Sequence, residues 1–277
     1  MDHCILIECA DQPGLVYGIT GVLFGHGLNI TANAEFVDHE LGLFFMRTEV
    51  AGRVEPQALK RELVACLPSR STVKIFGRQK KDIVVLASRE PHCLGDLLLR
   101  HAYGELNANI KAIISNHEDL RSLAEGFNLP FEHVPVGDLS RGEHEQRLAS
   151  LIEGLAPEYL VLAKYMRVLT PDFVGRFRHR IVNIHHSFLP AFVGANPYRQ
   201  AYERGVKIIG ATAHFVTDDL DEGPIITQDV LPVSHAYDAE SMRQAGRDVE
   251  KVVLARALKL VFEDRVFICG NKTIVFE

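Results

Sequence analysis

The chain has 277 residues, 47% hydrophobic and 24% charged, which suits one large soluble domain or two ordinary ones. A formal charge of −6 argues against a general nucleic-acid binder, which would carry a basic face. Five scattered cysteines without a C-x-x-C pair, and thirteen histidines without metal-ligand spacing, argue against a disulfide framework and a zinc site.

The opening stretch, MDHCILIECADQPG, has no basic leader, and Glu8 and Asp11 interrupt its apolar run. It reads as neither signal peptide nor membrane span, and a cytoplasmic location is expected. HCILIECA is a strand, DQPGL a turn, and Val16 to His26 a helix that Gly27 caps. ITANAEFVDH and LGLFFMRTEVAG read as two strands joined around Glu40 to Gly42. A helix from Pro56 to Leu67 and a strand from Ser71 to Phe76 complete a β-α-β-β-α-β, ferredoxin-like order.

DQPGL after a first strand, in a unit of this length, resembles an ACT domain over roughly residues 1–77. The resemblance implies a regulatory module that binds amino acids near its first turn, at Asp11 and Gly14, and at a dimer interface. Glycine and methionine are natural effector candidates, and a homo-oligomer is expected. Turn geometry is also a sufficient reason for Pro13 and Gly14, so a purely structural or dimerising domain stays open.

GRQKKD (Gly77 to Asp82) breaks the hydrophobic pattern and marks a joint, giving domains at 1–80 and 81–277. Beyond it, strands DIVVLAS, NIKAIIS, FEHVPV, YLVLA and RIVNI alternate with helices beginning near Cys93, Glu118, Arg141 and Thr170. Nearly continuous apolar strands between helices predict an α/β, Rossmann-like domain whose mostly parallel sheet is covered on both faces. Two further strands fall between Lys207 and Pro232, a long helix from about Asp238 to Phe262, and a closing hairpin in VFICGNKTIVFE.

Ligands of such sheets bind beyond the carboxyl ends of the strands, and NIHHS (Asn183 to Ser187) stands at one of them. Asn183 and His185, two apart on a strand, share a face, whereas His186 points the other way and reads as structural. Ser187 lacks a G-x-S-x-G elbow and reads as a turn or cap residue. Two more stretches carry polar or loop character where the pattern predicts a strand end: HFVTDDLDEGPII (His214 to Ile226) and LAKYMRVLTP (Leu162 to Pro171). His214 is at least as well explained as a hydrogen-bonded core histidine as by a part in the site.

Together the three stretches resemble the catalytic domain of folate-dependent formyltransferases, over about residues 82–277. The resemblance implies an active-site trio of Asn183, His185 and Asp221. It also implies a pteridine-holding loop at Met166, Arg167, Val168 and Leu169, with Thr217 and Asp218 flanking the ring. The substrate implied is 10-formyltetrahydrofolate, consumed without a permanently bound cofactor or metal. Formyl chemistry passes through a tetrahedral oxyanion, which the Asn183 amide and a protonated His185 can stabilise. Asp221 can orient His185 and raise its pKa, or take the proton of an attacking water.

Three features point to water as the formyl acceptor. Enzymes that formylate glycinamide ribonucleotide carry a glycine-rich phosphate loop after the first strand of this domain, where SREPHCLGDLL has only Gly95. Formylation of tRNA needs a basic surface and an additional C-terminal domain. An ACT-like module in front is expected of neither transferase. Formate released by hydrolysis would feed purine synthesis and balance one-carbon pools. A transferase with an unidentified amine acceptor, and a non-catalytic folate or amino-acid sensor, are the alternatives.

Overall fold

The computed structural model describes residues 2–191 and 197–277. They divide into two compact units, one reaching Gln79 and including Phe276 and Glu277, the other spanning Lys80–Val275.

In the first unit β1 (Asp2–Ala10), α1 (Leu15–Gly25), β2 (Asn29–Asp38), β3 (Leu43–Ala51), α2 (Pro56–Cys66) and β4 (Thr72–Gly77) follow the predicted order. The strands form an antiparallel sheet in the order β2-β3-β1-β4. Alternation along β1 sends Ile5, Ile7 and Cys9 to one face, where they meet Phe44, Met46 and Val50 of β3. Leu15, Ile19 and Leu23 recur every four residues on α1, as do Leu59 and Leu63 on α2, so each helix lays one apolar stripe on that face.

The second unit contains β5 (Lys81–Ala87), α3 (Pro91–Ala102), β6 (Ala108–Ser115), α4 (Arg121–Gly126), β7 (Phe131–His133), α5 (Arg141–Leu155), β8 (Tyr159–Ala163), α6 (Pro171–Arg176), β9 (Ile181–His185), α7 (Pro197–Arg204), β10 (Ile208–Phe215), β11 (Ile225–Pro232), α8 (Ala239–Phe262), β12 (Val266–Cys269) and β13 (Lys272–Val275). Seven strands make one sheet in the order β11-β10-β9-β8-β5-β6-β7. The five from β9 to β7 are parallel, and β10 and β11 add an antiparallel edge. Ile83 to Ala87 are all fully buried, as the unbroken apolar run of β5 requires of a strand covered on both faces. Leu94 and Leu98 of α3 and Leu254 and Leu258 of α8 cover one face. Leu148 and Ile152 of α5 and Phe173 of α6 cover the other.

From β5 the chain steps outward through β6 to β7, then returns to the other side of β5 for β8 and β9. The strand order therefore reverses between β5 and β8, and their carboxyl ends border the crevice where such sheets take ligands. Three local expectations shift. The segment FEHVPV keeps only three strand residues, because Pro135 has no N–H for a longer ladder. The helix expected near Glu118 starts at Arg121, whose N–H donates to the Glu118 carbonyl. Helix α7 has no counterpart in the sequence reading: PYRQAYER is polar and roots itself through Tyr198 and Ala201. Among the described residues no helix is long and apolar enough to cross a membrane.

Candidate active site

Two neighbours on β9 and one residue from a distant loop meet at the carboxyl end of that strand. Asn183 lies in β9 between Leu162 of β8 and His214 of β10, and His185, two residues on, is opposite Thr212. Asp221 arrives from the loop joining β10 and β11. That loop folds flat onto β10: a Cβ on Gly223 would lie 1.8 Å from the Phe215 carbonyl oxygen, so only glycine allows the approach. The Phe215 N–H donates to the Pro224 carbonyl at 2.9 Å and closes the turn. Asp221, at φ 57°, then sets its Oδ1 3.3 Å from His185 Nδ1 and 3.8 Å from His214 Nε2.

His214 belongs to this group. Its Nδ1 donates to the Phe215 carbonyl at 2.9 Å, which leaves Nε2 as an acceptor for the Asn183 amide at 3.2 Å. Burial holds the His214 imidazole below its ordinary pKa, consistent with that neutral tautomer. One Asn183 N–H is thereby fixed and the other remains to point at a ligand. Burial would raise the Asp221 carboxyl, but the hydrogen bond and charge of His185 outweigh it and keep Asp221 ionised below the usual carboxylate range. His185 Nε2 is buried without a hydrogen-bond partner among the described residues. We expect His214→Phe to lower kcat about tenfold with little change in KM, since Asn183 would lose its orientation but not its amide. Steady-state kinetics of the purified variant checks this.

The trio opens onto a cavity of about 310 Å³. All six residues expected to surround the ring line it: Met166, Arg167, Val168 and Leu169 from the loop after β8, and Thr217 and Asp218 from the loop after β10. The first loop is braced from several sides. Ser88, at the end of β5, accepts from the Met166 N–H at 3.1 Å, and Arg141 donates to the Val168 carbonyl. Buried Glu145 accepts from both the N–H and the hydroxyl of Thr170, the residue that caps α6.

His186 departs from expectation. Strand β9 ends at His185, so alternation no longer governs the next residue. The His186 ring stacks on His185 with centroids 5.0 Å apart and lines the same cavity. Burial, then the positive charges of Lys164 and His185, lower its pKa from an ordinary 6.5 to about 4. A histidine kept neutral in the fold contributes stability above the unfolded pKa and loses it as pH falls through the folded one. Between pH 6.5 and 4 this residue should remove about 3 kcal/mol from the wild type that His186→Phe does not lose, measured by urea unfolding across that range. Ser187 is structural as expected: its hydroxyl donates to the Ala191 carbonyl, and its own carbonyl accepts from Thr212.

Comparison with known proteins places this geometry. Residues 81–258 match the formyl transferase family and residues 4–66 the ACT domain family. A formyltetrahydrofolate deformylase from Escherichia coli O6:H1 is 57% identical over 267 residues, covering 96% of this chain and 95% of the relative. The chain belongs to the formyltetrahydrofolate deformylase family. A crystal structure of a deformylase from Pseudomonas syringae pv. tomato superposes with a TM-score of 0.94 at 42% identity, covering 100% of this chain and 94% of that one. Glycinamide ribonucleotide transformylase 1 from Symbiobacterium toebii reaches a TM-score of 0.69 at 30% identity, covering 76% of this chain and all of that one.

Two regions of this deformylase family member bear on acceptor and effector. Helix α3 begins at Pro91 directly after Glu90, whose carboxylate pairs with Arg247 at 3.0 Å, so an acidic side chain stands where a phosphate loop would present N–H groups. In the ACT domain Gly14 precedes α1 at φ 90°, and the Asp11 N–H donates to the Gly42 carbonyl at 2.8 Å. The side chain of Asp11 is exposed. Among the described residues one trio, His92, Cys93 and Glu250, brings possible metal-ligand atoms within 4.8 Å of one another. The Glu250 carboxylate there is already occupied by Lys164, His92 and Tyr198.

Proposed function

We propose that the chain hydrolyses 10-formyltetrahydrofolate to formate and tetrahydrofolate, with Asn183, His185 and Asp221 as its catalytic residues. The observation that carries this reading is the His185–Asp221 pair at 3.3 Å, set beside the Asn183 amide on the wall of a 310 Å³ cavity. The pteridine lies against the Met166–Leu169 loop and the Thr217–Asp218 segment. Asp221, ionised, accepts a proton as water attacks the formyl carbon. The Asn183 N–H and His185 donate to the oxygen that becomes negative, an interaction strongest in the transition state. The C–O bond forms, the C–N10 bond breaks, and N10 receives a proton as tetrahydrofolate leaves.

Water as acceptor is supported by the acidic start of α3, which suits no phosphate-bearing amine. The test is to incubate the protein with 10-formyltetrahydrofolate and no other acceptor, and to measure formate. Release supports hydrolysis; no release until an amine is added assigns a transferase.

The finer readings extend this one. The reaction takes place in the cytoplasm, and its formate supplies purine synthesis. The ACT domain pairs with a second copy and binds a small amino acid, glycine or methionine, near Asp11 and Gly14. A rise in melting temperature on adding either, lost in Asp11→Ala, supports the effector site, and light scattering reads the pairing.

A further inference from the structure

Lys164 is placed against its backbone preference. It follows β8 at φ 61°, in the left-handed region where a side chain is strained, and its own side chain is only 6% exposed. The surrounding structure holds it there. Its Nζ lies 3.1 Å from Oε2 of Glu250, which is 1% exposed on α8. His92 Nε2 reaches the same carboxylate oxygen at 2.8 Å, and the Tyr198 hydroxyl donates to Oε1 at 2.7 Å. Gly246, one turn before Glu250, makes room for Tyr198: a Cβ there would lie 2.1 Å from the Tyr198 hydroxyl. So many groups converge on Glu250 that they fix the position of its lysine partner.

The cavity says where that lysine stands. The last pair of β8 and β9 is Leu162 with Asn183, and Lys164 follows just past the end of β8, at the rim of the same cavity. Lys164 lines the cavity together with Asn183, His185 and Asp221, whereas Glu250 does not. The ion pair therefore presents its positive end to the reacting centre and keeps its negative end behind.

The two reactions open to a formyl group differ in sign at that point. When water attacks, the C–O bond forms, the C–N10 bond breaks, one water proton passes to N10, and the product ionises to formate, an anion. Both attacks build the same tetrahedral oxyanion, but water gives a proton to Asp221 as it attacks, whereas an amine first carries positive charge on its incoming nitrogen. That nitrogen must shed a proton before a neutral amide leaves. A fixed ammonium at the cavity wall favours the oxyanion that both paths share and opposes the cationic nitrogen that only the amine path builds.

We propose that Lys164 is a specificity-determining residue: its ammonium, held in the wall of the catalytic cavity by the Glu250 cluster, commits the cavity to water and excludes amine acceptors. The proposal rests on the hydrolytic reading above. Lys164→Met/Glu250→Gln removes the charge without leaving a buried carboxylate unpaired, and Lys164→Arg retains it. Each protein, with its fold checked by circular dichroism, is given 10-formyltetrahydrofolate with and without hydroxylamine or glycinamide. Formate and N-formyl product are then quantified above the uncatalysed background.

Wild type and Lys164→Arg should yield formate alone. In the double variant formate release should fall at least about tenfold while N-formyl product becomes measurable. An unchanged ratio of formate to amide in the double variant, or no amide at any rate of formate release, overturns the proposal. Failure of the wild type to release formate without an amine would instead overturn the hydrolytic reading itself.

Discussion

Replacing Asp221 by Asn should lower kcat for formate release by about a thousandfold, while the melting temperature moves little. The substitution keeps the size of the side chain and one oxygen, so the contact with His185 is not emptied. It removes the charge that faces both His185 and His214 from 3.3 and 3.8 Å. An amide cannot take a proton from water, and it cannot stabilise positive charge on His185 as a carboxylate does. Both contributions belong to the transition state more than to the bound substrate, so KM should change far less than kcat. Formate release at saturating substrate decides it, and an Asp221→Asn enzyme within about tenfold of wild type would remove Asp221 from the chemistry.

The largest loss of stability should come from Glu250→Ala, about 3–5 kcal/mol by denaturant titration. Burial opposes the Glu250 charge, but the hydrogen bond from His92, the Lys164 ammonium and the Tyr198 hydroxyl outweigh it and hold the carboxyl down at about 2. Deleting the carboxylate leaves buried Lys164 without its counter-charge and Tyr198 without an acceptor. Adding Lys164→Met to Glu250→Ala should restore a good part of the loss, because a buried pair is harmed most by removal of one member. In wild type, a carboxyl depressed in the fold contributes stability that is full above its ordinary value of 4.5. That contribution disappears as pH falls through about 2. Acid unfolding in that interval should be shallower for the double variant.

The parts of the site legible in the sequence were those whose partners are close in the chain or whose face follows a period. Asn183 and His185 share a face because a strand alternates, and the polar end of an apolar run marked them. Asp221 was placed by the family resemblance, whose pattern sets an Asp before a Gly-Pro pair, here Gly223 and Pro224; the acidic loop alone does not choose it over Asp218 and Asp219. His214 could not be assigned: what binds it to Asn183 is the antiparallel register of β9 and β10, which no local pattern specifies. His186 was misjudged because alternation was carried one residue past the end of β9. Glu250 did leave a trace, an acid on the buried stripe of a helix otherwise lined by Val253, Leu254 and Leu258. Its partners come from three other elements and could not be named from that trace. The fold was more legible than the site, since burial on both faces writes itself into central strands such as β5 and β8. The eight residues of α7 were the exception, being too polar to show a period.

The contact between Gly223 and the Phe215 carbonyl gives the acidic loop an unusual division of labour. Its base is locked main chain against main chain, through a glycine that admits no side chain and the bond from Phe215 to Pro224. Its outer residues, Asp218, Asp219 and Leu220, are exposed. The placement of Asp221 is thus inherited from the backbone and owes little to the letters around it. A library that randomises Asp219 and Leu220 could reshape the rim of the cavity for altered pteridines while the reacting centre stays where it is, whereas a single methyl group at position 223 would move it.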